Sequence, residues 1–267
     1  MFARFLLRMV FFIAISGSIS FARTASKEFN KTIDLPADGT VVVENVNGRI
    51  SVESWERESV EIVAEIQVRA TSRRDAEELL DKAQIEVSKD MNTLTIKPKY
   101  PKHTRSGGLL DWIFSGGKPS ISVEIWLKTP AGAQVNVSSV NGAVQTTDIG
   151  GGQNIRTTNG KIDIEGASGA VSASTTNGSI RAEITNERLE EDVDLKTVNG
   201  SIRAYLPTEV QADVHISTVN GSIHSDFPIE ISGDRHRKSI DGRINGGGAS
   251  VVLKTVNGSV TLLEGMD

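Results

Sequence analysis

The sequence contains no cysteine. That excludes disulfides, thiolate metal sites, a cysteine nucleophile and a lipid anchor attached through cysteine. Proline is scarce too, at 7 residues against 25 glycines, which points to many tight turns, and no collagen period accompanies them. Basic excess is also missing. The formal net charge is −5, a poor match to nucleic acid, which demands a basic face, yet not acidic enough to specify a cationic partner. No Ser-His-Asp signature, Walker loop or dinucleotide fingerprint appears. The glycine runs at 150–152 and 246–248 follow no strand-to-helix transition and read as turns.

The remaining composition is that of a folded globular chain, with 38% hydrophobic and 24% charged residues among 267. Residues 1–22 read as a secretory signal. Arg4 and Arg8 give a positive start, Met9 to Ile15 an apolar stretch, and Ser20-Phe21-Ala22 a small-x-small cleavage site. Gly17 and the serines interrupt this stretch before it reaches the roughly 20 residues needed to span a bilayer. Removing the signal moves the formal charge from −5 to about −7. The expected location is therefore the periplasm or the cell surface.

Repeats dominate the rest. Asn-Gly occurs at Asn47-Gly48, Asn141-Gly142, Asn159-Gly160, Asn177-Gly178, Asn199-Gly200, Asn220-Gly221 and Asn257-Gly258, all in related contexts such as TTNGSI and KTVNGSV, and again at Asn245-Gly246 in a different one. From Asn141 the successive intervals are 18, 18, 22, 21 and 37 residues, the last wide enough for two units. Asn-Gly favours type I′ turns, where two successive residues need positive φ. The flanks alternate as strands do: Val193, Leu195 and Thr197 before the Asn199 corner, Ile202, Ala204 and Leu206 after it. Each unit is thus two short strands and a structural corner.

Three units share a proline-led phrase, beginning at Leu35, Thr129 and Leu206, which places the N-terminal region in the same fold with an insertion after its first unit. The predicted organisation is a signal over 1–22, an N-terminal β region over 23–128, and a repeat array over 129–267. Within the N-terminal region, Ser72-Arg73-Arg74-Asp75 opens a helix of about 72–84, and 101–120 is a loop.

Two architectures fit: a β-solenoid with one coil per unit, or an antiparallel meander with a hairpin at each Asn-Gly. A meander of a dozen strands would exceed the usual sheet size and leave an apolar face uncovered. A solenoid explains why each corner recurs with its neighbours, since equivalent residues stack coil on coil.

The T-[TV]-N-G-S-[IV] corners, the opening ENVNGRISVESW and the phrase DAEELLDKAQIEVSKDMNTLTI resemble the bacterial putative-adhesin family, related to head-GIN domains of predicted surface adhesins. The similarity extends over nearly all of the chain after the signal. It implies an all-β fold, a right-handed parallel β-helix, with a small helix-containing insertion near the N-terminus. It supplies no catalytic residues to carry over.

Candidate chemistry is sparse. Asp148, Asp163, Glu165, Glu183, Asp226, Asp234 and Asp241 would support a carbohydrate-active enzyme only if some converged in a groove beside an arginine or lysine. No pair recurs at one coil position with a basic partner, and outward carboxylates are ordinarily a strand's solvated face. His215 and His224 flank the Asn220 corner with no fitting acidic or cysteine ligand, so no metal is expected, nor any cofactor. Asp234 to Lys238 is a local basic loop. The glycosylation sequons at four corners follow from the corner motif itself. Leu109, Leu110, Trp112, Ile113 and Phe114, between paired glycines, form either a partner-contact loop or a cap over the solenoid end. The reading is a non-catalytic binding or structural protein whose partner is an envelope glycan, a membrane surface or a protein. An envelope stress or assembly factor using the Trp112 loop is a further alternative.

Overall fold

The computed structural model describes residues 24–100, 119–186, 189–232 and 238–265. The expected loop at 101–120 and its five apolar residues, Leu109, Leu110, Trp112, Ile113 and Phe114, fall almost wholly outside that range, as do Asp234 and most of the basic loop. Among the described residues the chain is all-β apart from one helix, and no helix is long and apolar enough to cross a membrane.

Two sheets of 10 and 11 strands close on one apolar core. The repeating coil is clearest in β8 (Gln134–Ser138) and β9 (Val144–Thr147), β10 (Gln153–Asn159) and β11 (Ile162–Ala167), β12 (Val171–Asn177) and β13 (Ile180–Ile184), and β14 (Val193–Asn199) and β15 (Ile202–Leu206). The strand before each corner lies in the larger sheet and the strand after it in the smaller, each paired parallel with its equivalents. A hairpin would pair β14 with β15. It does not form, so the meander is excluded. Alternation sends every second side chain inward, and in-register stacking turns these into apolar ladders. Ile162, Ile180 and Ile202 stack on one sheet, Val137, Ile155, Ala173 and Leu195 on the other, all buried.

The coils are not stacked in chain order. The first, β2 (Thr40–Glu44) and β3 (Ile50–Trp55), lies between the β8/β9 coil and an outer coil made of β6 (Thr93–Lys99) and β7 (Ser120–Pro130). At the other end, the last coil, β20 (Ala249–Asn257) and β21 (Val260–Glu264), sits between the β14/β15 coil and the coil of β16 (Ala212–Asn220) and β17 (Ile223–Ser225). Among its described residues the 37-residue interval therefore holds no second coil. It holds β18 (Glu230–Ile231) and β19 (Ser239–Ile244), which pair antiparallel on the outer edge of β16.

Antiparallel strands flank the N-terminal end as well, so both sheets are mixed. β4 (Ser59–Arg69) pairs with β7, β1 (Thr24–Asp34) with β4, and β5 (Gln84–Asp90) with β6. The helix α1 (Arg73–Lys82) packs against β1 and β4 through buried Ala76 and Leu80. Its start is fixed by Ser72, whose side chain accepts from the Asp75 amide at 3.1 Å. The long edge strand β1 places Lys27 and Lys31 on the same face as Ala25, Phe29 and Ile33, which pack on the core. Inward-pointing charges of this kind discourage another strand from adding at the edge.

Candidate functional site

The corners form one continuous polar ladder. Asn141 Nδ2 donates to Asn47 Oδ1 at 2.9 Å, Asn159 to Asn141 at 2.8 Å, Asn177 to Asn159 at 2.8 Å and Asn199 to Asn177 at 2.9 Å. Asn257 then donates to Asn199 at 2.7 Å and Asn220 to Asn257 at 2.9 Å, following the spatial rather than the chain order. Asn47 Nδ2 ends the series on the Ile121 carbonyl at 3.3 Å. All the amides point the same way. Two residues before five of the seven corners, Thr157, Thr175, Thr197, Thr255 and Thr218 are buried and donate to the corner-glycine carbonyl of the adjacent coil. Ser139, in that position before Asn141, is buried with no hydrogen-bond partner for its hydroxyl among the described residues. In the first coil Asn45 holds that position and donates to the Val123 carbonyl at 2.8 Å.

The corners are not type I′ turns. No corner asparagine has positive φ, and of the corner glycines only Gly48 and Gly258 do. Gly142, Gly160, Gly178, Gly200, Gly221 and Gly258 are needed for another reason: a Cβ on any of them would lie 1.9–2.1 Å from the carbonyl oxygen of the corner glycine on the next coil. Asn245-Gly246, outside the ladder, is the pair that does take positive φ twice, at 49° and 91°.

Both sheets carry charged side chains on their outer faces, and on the smaller one they cluster around Arg181. Arg181 lies within 3.4 Å of Asp163, 3.5 Å of Glu165 and 3.0 Å of Glu183, and its guanidinium stacks 4.9 Å from the Tyr205 ring centre. Burial works against the Arg181 charge, but hydrogen bonds to Tyr205, Asp163 and Glu183 outweigh it and raise its pKa. Three of the carboxylates considered above thus do meet beside an arginine, contrary to expectation, because equivalent positions of adjacent coils are neighbours. They meet on the outer face of a sheet and bond to one another's partner. Asp148 sits on the adjacent coil, its amide donating to the Glu165 carbonyl at 2.8 Å, but does not pair with Arg181, and Asp226 pairs with His224 instead. His215 pairs with Asp241 in the larger sheet and its flank, and His224 with Asp226 beside the smaller, so the two histidines do not converge. Among the described residues no three His, Cys, Asp or Glu side chains gather as metal ligands.

Two surface features escaped the sequence reading. Trp126, between inward Ile125 and Leu127, is 39% exposed on the smaller sheet. Trp55, in the chain's first coil, is in register with Pro130, four residues further along β7, and has Arg57 stacked 4.9 Å from its ring. The second feature is a groove of about 330 Å³ on the outer face of the larger sheet. Its floor is a row of four in-register residues from successive coils: Asn136, Asn154, Ser172 and Asp194. Two residues earlier on the same coils stand Gln134, Gly152, Ala170 and Asp192, so two small residues lie between two larger ones and leave the hollow. Asn154 Oδ1 and Asp194 Oδ1 are buried there with no hydrogen-bond partner. Lys196 holds the other Asp194 oxygen, and the Ser250 amide donates to Asp192 at 2.9 Å.

No curated protein sequence matches the chain. Its fold is shared with a crystal structure of a putative cell adhesion protein from Clostridium sporogenes, at a TM-score of 0.52 and 10% identity, over 90% of this chain and 100% of that one. Crystal structures of a putative adhesin from Bacteroides fragilis (TM-score 0.29, 12% identity, 89% of this chain and 97% of that one) and of a putative lipid binding protein from Parabacteroides distasonis (0.30, 13%, 90% and 97%) are more distant in shape. The sequence pattern of the Toastrack DUF4097 family matches residues 127–263, more than half of the chain and nearly the whole repeat array, and the chain belongs to that family.

Proposed function

We propose that the chain is an exported, non-catalytic binding or structural protein of the cell envelope or surface, adhesin-like, wound as a right-handed parallel β-helix. The observation that supports this is the build of its outer faces. Equivalent polar side chains stand in registered rows across successive coils, and the charged ones, as around Arg181, are engaged with each other. Such a surface offers many modest contacts to an extended partner. An acid–base pair for catalysis would instead need two carboxylates with different environments and room between them for substrate.

The test is co-sedimentation of purified residues 23–267 with isolated envelope fractions, beside a Trp112→Ala/Phe114→Ala variant. Pelleting of both forms supports contact through the polar faces. Pelleting of the wild type alone assigns the contact to the apolar loop at 109–114. If neither pellets, attachment to the envelope is wrong. Export is checked separately, by the mass of the N-terminus of protein recovered from outside the cytoplasm, which should begin after Ala22.

A further inference from the structure

The last coil is tethered by a loop that straddles the coil outside it. β16 pairs with β19 on its outer edge and with β20 on its inner edge, and Ala212, at its start, stands opposite Ile244 on one side and Ala249 on the other. Residues 245–248 therefore cross from one edge of β16 to the other around the start of that strand. With strands spaced about 4.8 Å, the two ends lie about 10 Å apart in a straight line. Five residue steps reach about 17 Å at most, and the path must also clear the backbone that enters β16. Asn245 Nδ2 donates to the Val210 carbonyl at 2.9 Å, and a Cβ on Gly248 would lie 2.4 Å from the Gln211 carbonyl oxygen. To turn this tightly, Asn245, Gly246 and Gly247 all take positive φ, at 49°, 91° and 91°. Glycine adopts such angles freely, whereas asparagine does so against its preference.

The coil that this loop carries fills a slot whose walls precede it in the chain. β20 enters between β14 and β16, and β21 between β15 and β17. Buried Val251 and Leu253 stand in register with Val193 and Leu195 on one side and with Val214 and Ile216 on the other. Asn257 closes the asparagine ladder between Asn199 and Asn220. None of these contacts requires the slot and the coil to belong to one molecule.

We propose that residues 249–264 are exchanged between two copies of this chain, each inserting its last coil into the slot of the other, with 245–248 opening as the hinge. A second copy, rather than another protein, is the occupant because the sequence that fits the slot is that of the last coil itself. The exchanged pair repeats every contact within the slot, so two opposing terms decide between the forms. Closure within one molecule is favoured by an effective concentration in the millimolar range, as for other short linkers. The straddling loop opposes it, since an opened hinge is free of the asparagine conformation and of the crowded passage past Gln211. Short hinge loops under strain favour exchange of this kind.

The sequence has no cysteine, so single introduced thiols report the exchange directly. Lys196 and Lys254 are exposed register partners on β14 and β20, close enough for a disulfide. Equimolar Lys196→Cys and Lys254→Cys proteins are unfolded together, refolded at about 0.01 mM and at about 0.5 mM, near the effective concentration of closure, then oxidised and separated by size exclusion. A two-chain species should grow with concentration. Peptide mapping should find its 196–254 disulfide at least tenfold more often than the 203–254 disulfide of a matched Arg203→Cys and Lys254→Cys mixture, whose sites lie on different sheets and meet only by collision. Insertion of Gly-Ser-Gly-Ser after Gly247 relaxes the straddle and should lower the two-chain share several-fold. Gly246→Ala strains the closed loop and should raise it. Exclusively monomeric protein at the higher concentration, or 196–254 disulfides no commoner than 203–254 ones, would overturn the exchange. A two-chain share that neither hinge variant alters would overturn the role of the loop.

Discussion

A β-carbon on Gly160 would stand 2.0 Å from the Gly142 carbonyl oxygen on the adjacent coil. The obstacle is backbone on both sides, since Gly160 in turn accommodates Gly178 in the same way. Gly160→Ala therefore cannot be absorbed by a side-chain rotation and must push coils apart. The expected loss is about 3–5 kcal/mol, the range of severe steric and backbone substitutions. Gly246→Ala provides the contrast. Gly246 has φ of 91° and nothing within 4 Å of its would-be Cβ, so only backbone strain of about 1–2 kcal/mol applies. Thermal unfolding of the two variants should rank them in that order, and the reverse order would mean that corner glycines serve turn geometry after all.

The asparagine ladder makes a pH-dependent prediction. Asn177 both donates to Asn159 Oδ1 and accepts from Asn199 Nδ2, so Asn177→Asp keeps an acceptor but aims an ionised oxygen at another acceptor. At pH 7 the variant should lose about 1–3 kcal/mol. The unfavourable contact raises the carboxyl pKa in the folded state. Stability is then greatest below the unfolded value of about 3.9 and falls as pH rises through the higher folded value. Melting of Asn177→Asp relative to wild type should accordingly improve on acidification. A difference that stays constant with pH would show that the amide donor contributes nothing.

The repeat unit, its alternating strands and the positions of its corners were legible because each depends on local spacing alone. The corner geometry, expected to be a type I′ turn, was not, because it is set by the close approach of glycines on neighbouring coils. Nor was the order of the coils. Lys196–Ser201 and Lys254–Ser259 are the same six residues, KTVNGS, and Thr218-Val219-Asn220-Gly221-Ser222 repeats most of them. Coils with interchangeable edges carry no local instruction about which neighbours which, so the antiparallel β18 and β19 had to be seen before the last coil could be placed. The groove was hidden for a related reason. Gln134, Gly152, Ala170 and Asp192 come from four coils, and Gly152 reads in sequence as part of a turn. The grouping of Asp163, Glu165 and Glu183 on Arg181 likewise appears only once the register is known.

Tyr100 reports on the N-terminal end. Its hydroxyl donates to Asn45 Oδ1 at 3.1 Å, and burial pushes its pKa up to about 12. With an unfolded value of about 10, the folded state keeps the proton longer. The contribution is fully present below about pH 10 and is lost as pH rises through about 12, some 2–3 kcal/mol in all. Tyr100→Phe should flatten the decline in stability over that window, as followed by denaturant unfolding at stepped pH. A decline as steep in Tyr100→Phe as in wild type would place the alkaline sensitivity elsewhere.

The placement of the last coil predicts an unusual response to truncation. In a stack that follows chain order, ending the protein after Gly248 would remove one end coil and leave the next as the new end. Here β20 separates β14 from β16, and among the described residues β21 is the sole strand partner of β17. Removal leaves a slot inside the array and exposes the floor beneath buried Val251, Leu253, Val260 and Leu262. At about 1.5–3 kcal/mol for each side chain, the loss is about 6–12 kcal/mol, comparable with the whole stability of an ordinary domain. The coil of β16 and β17 should therefore detach even though its own sequence is intact. Limited proteolysis of the truncated protein should cut within 207–248, while the coils from β8 to β13 stay protected. A peptide of residues 249–264 added in trans should restore protection by filling the slot. Continued protection of 207–225 without the peptide would mean that this coil can close directly onto β14 and β15, and that the intercalated order is a preference among near-equivalent stackings.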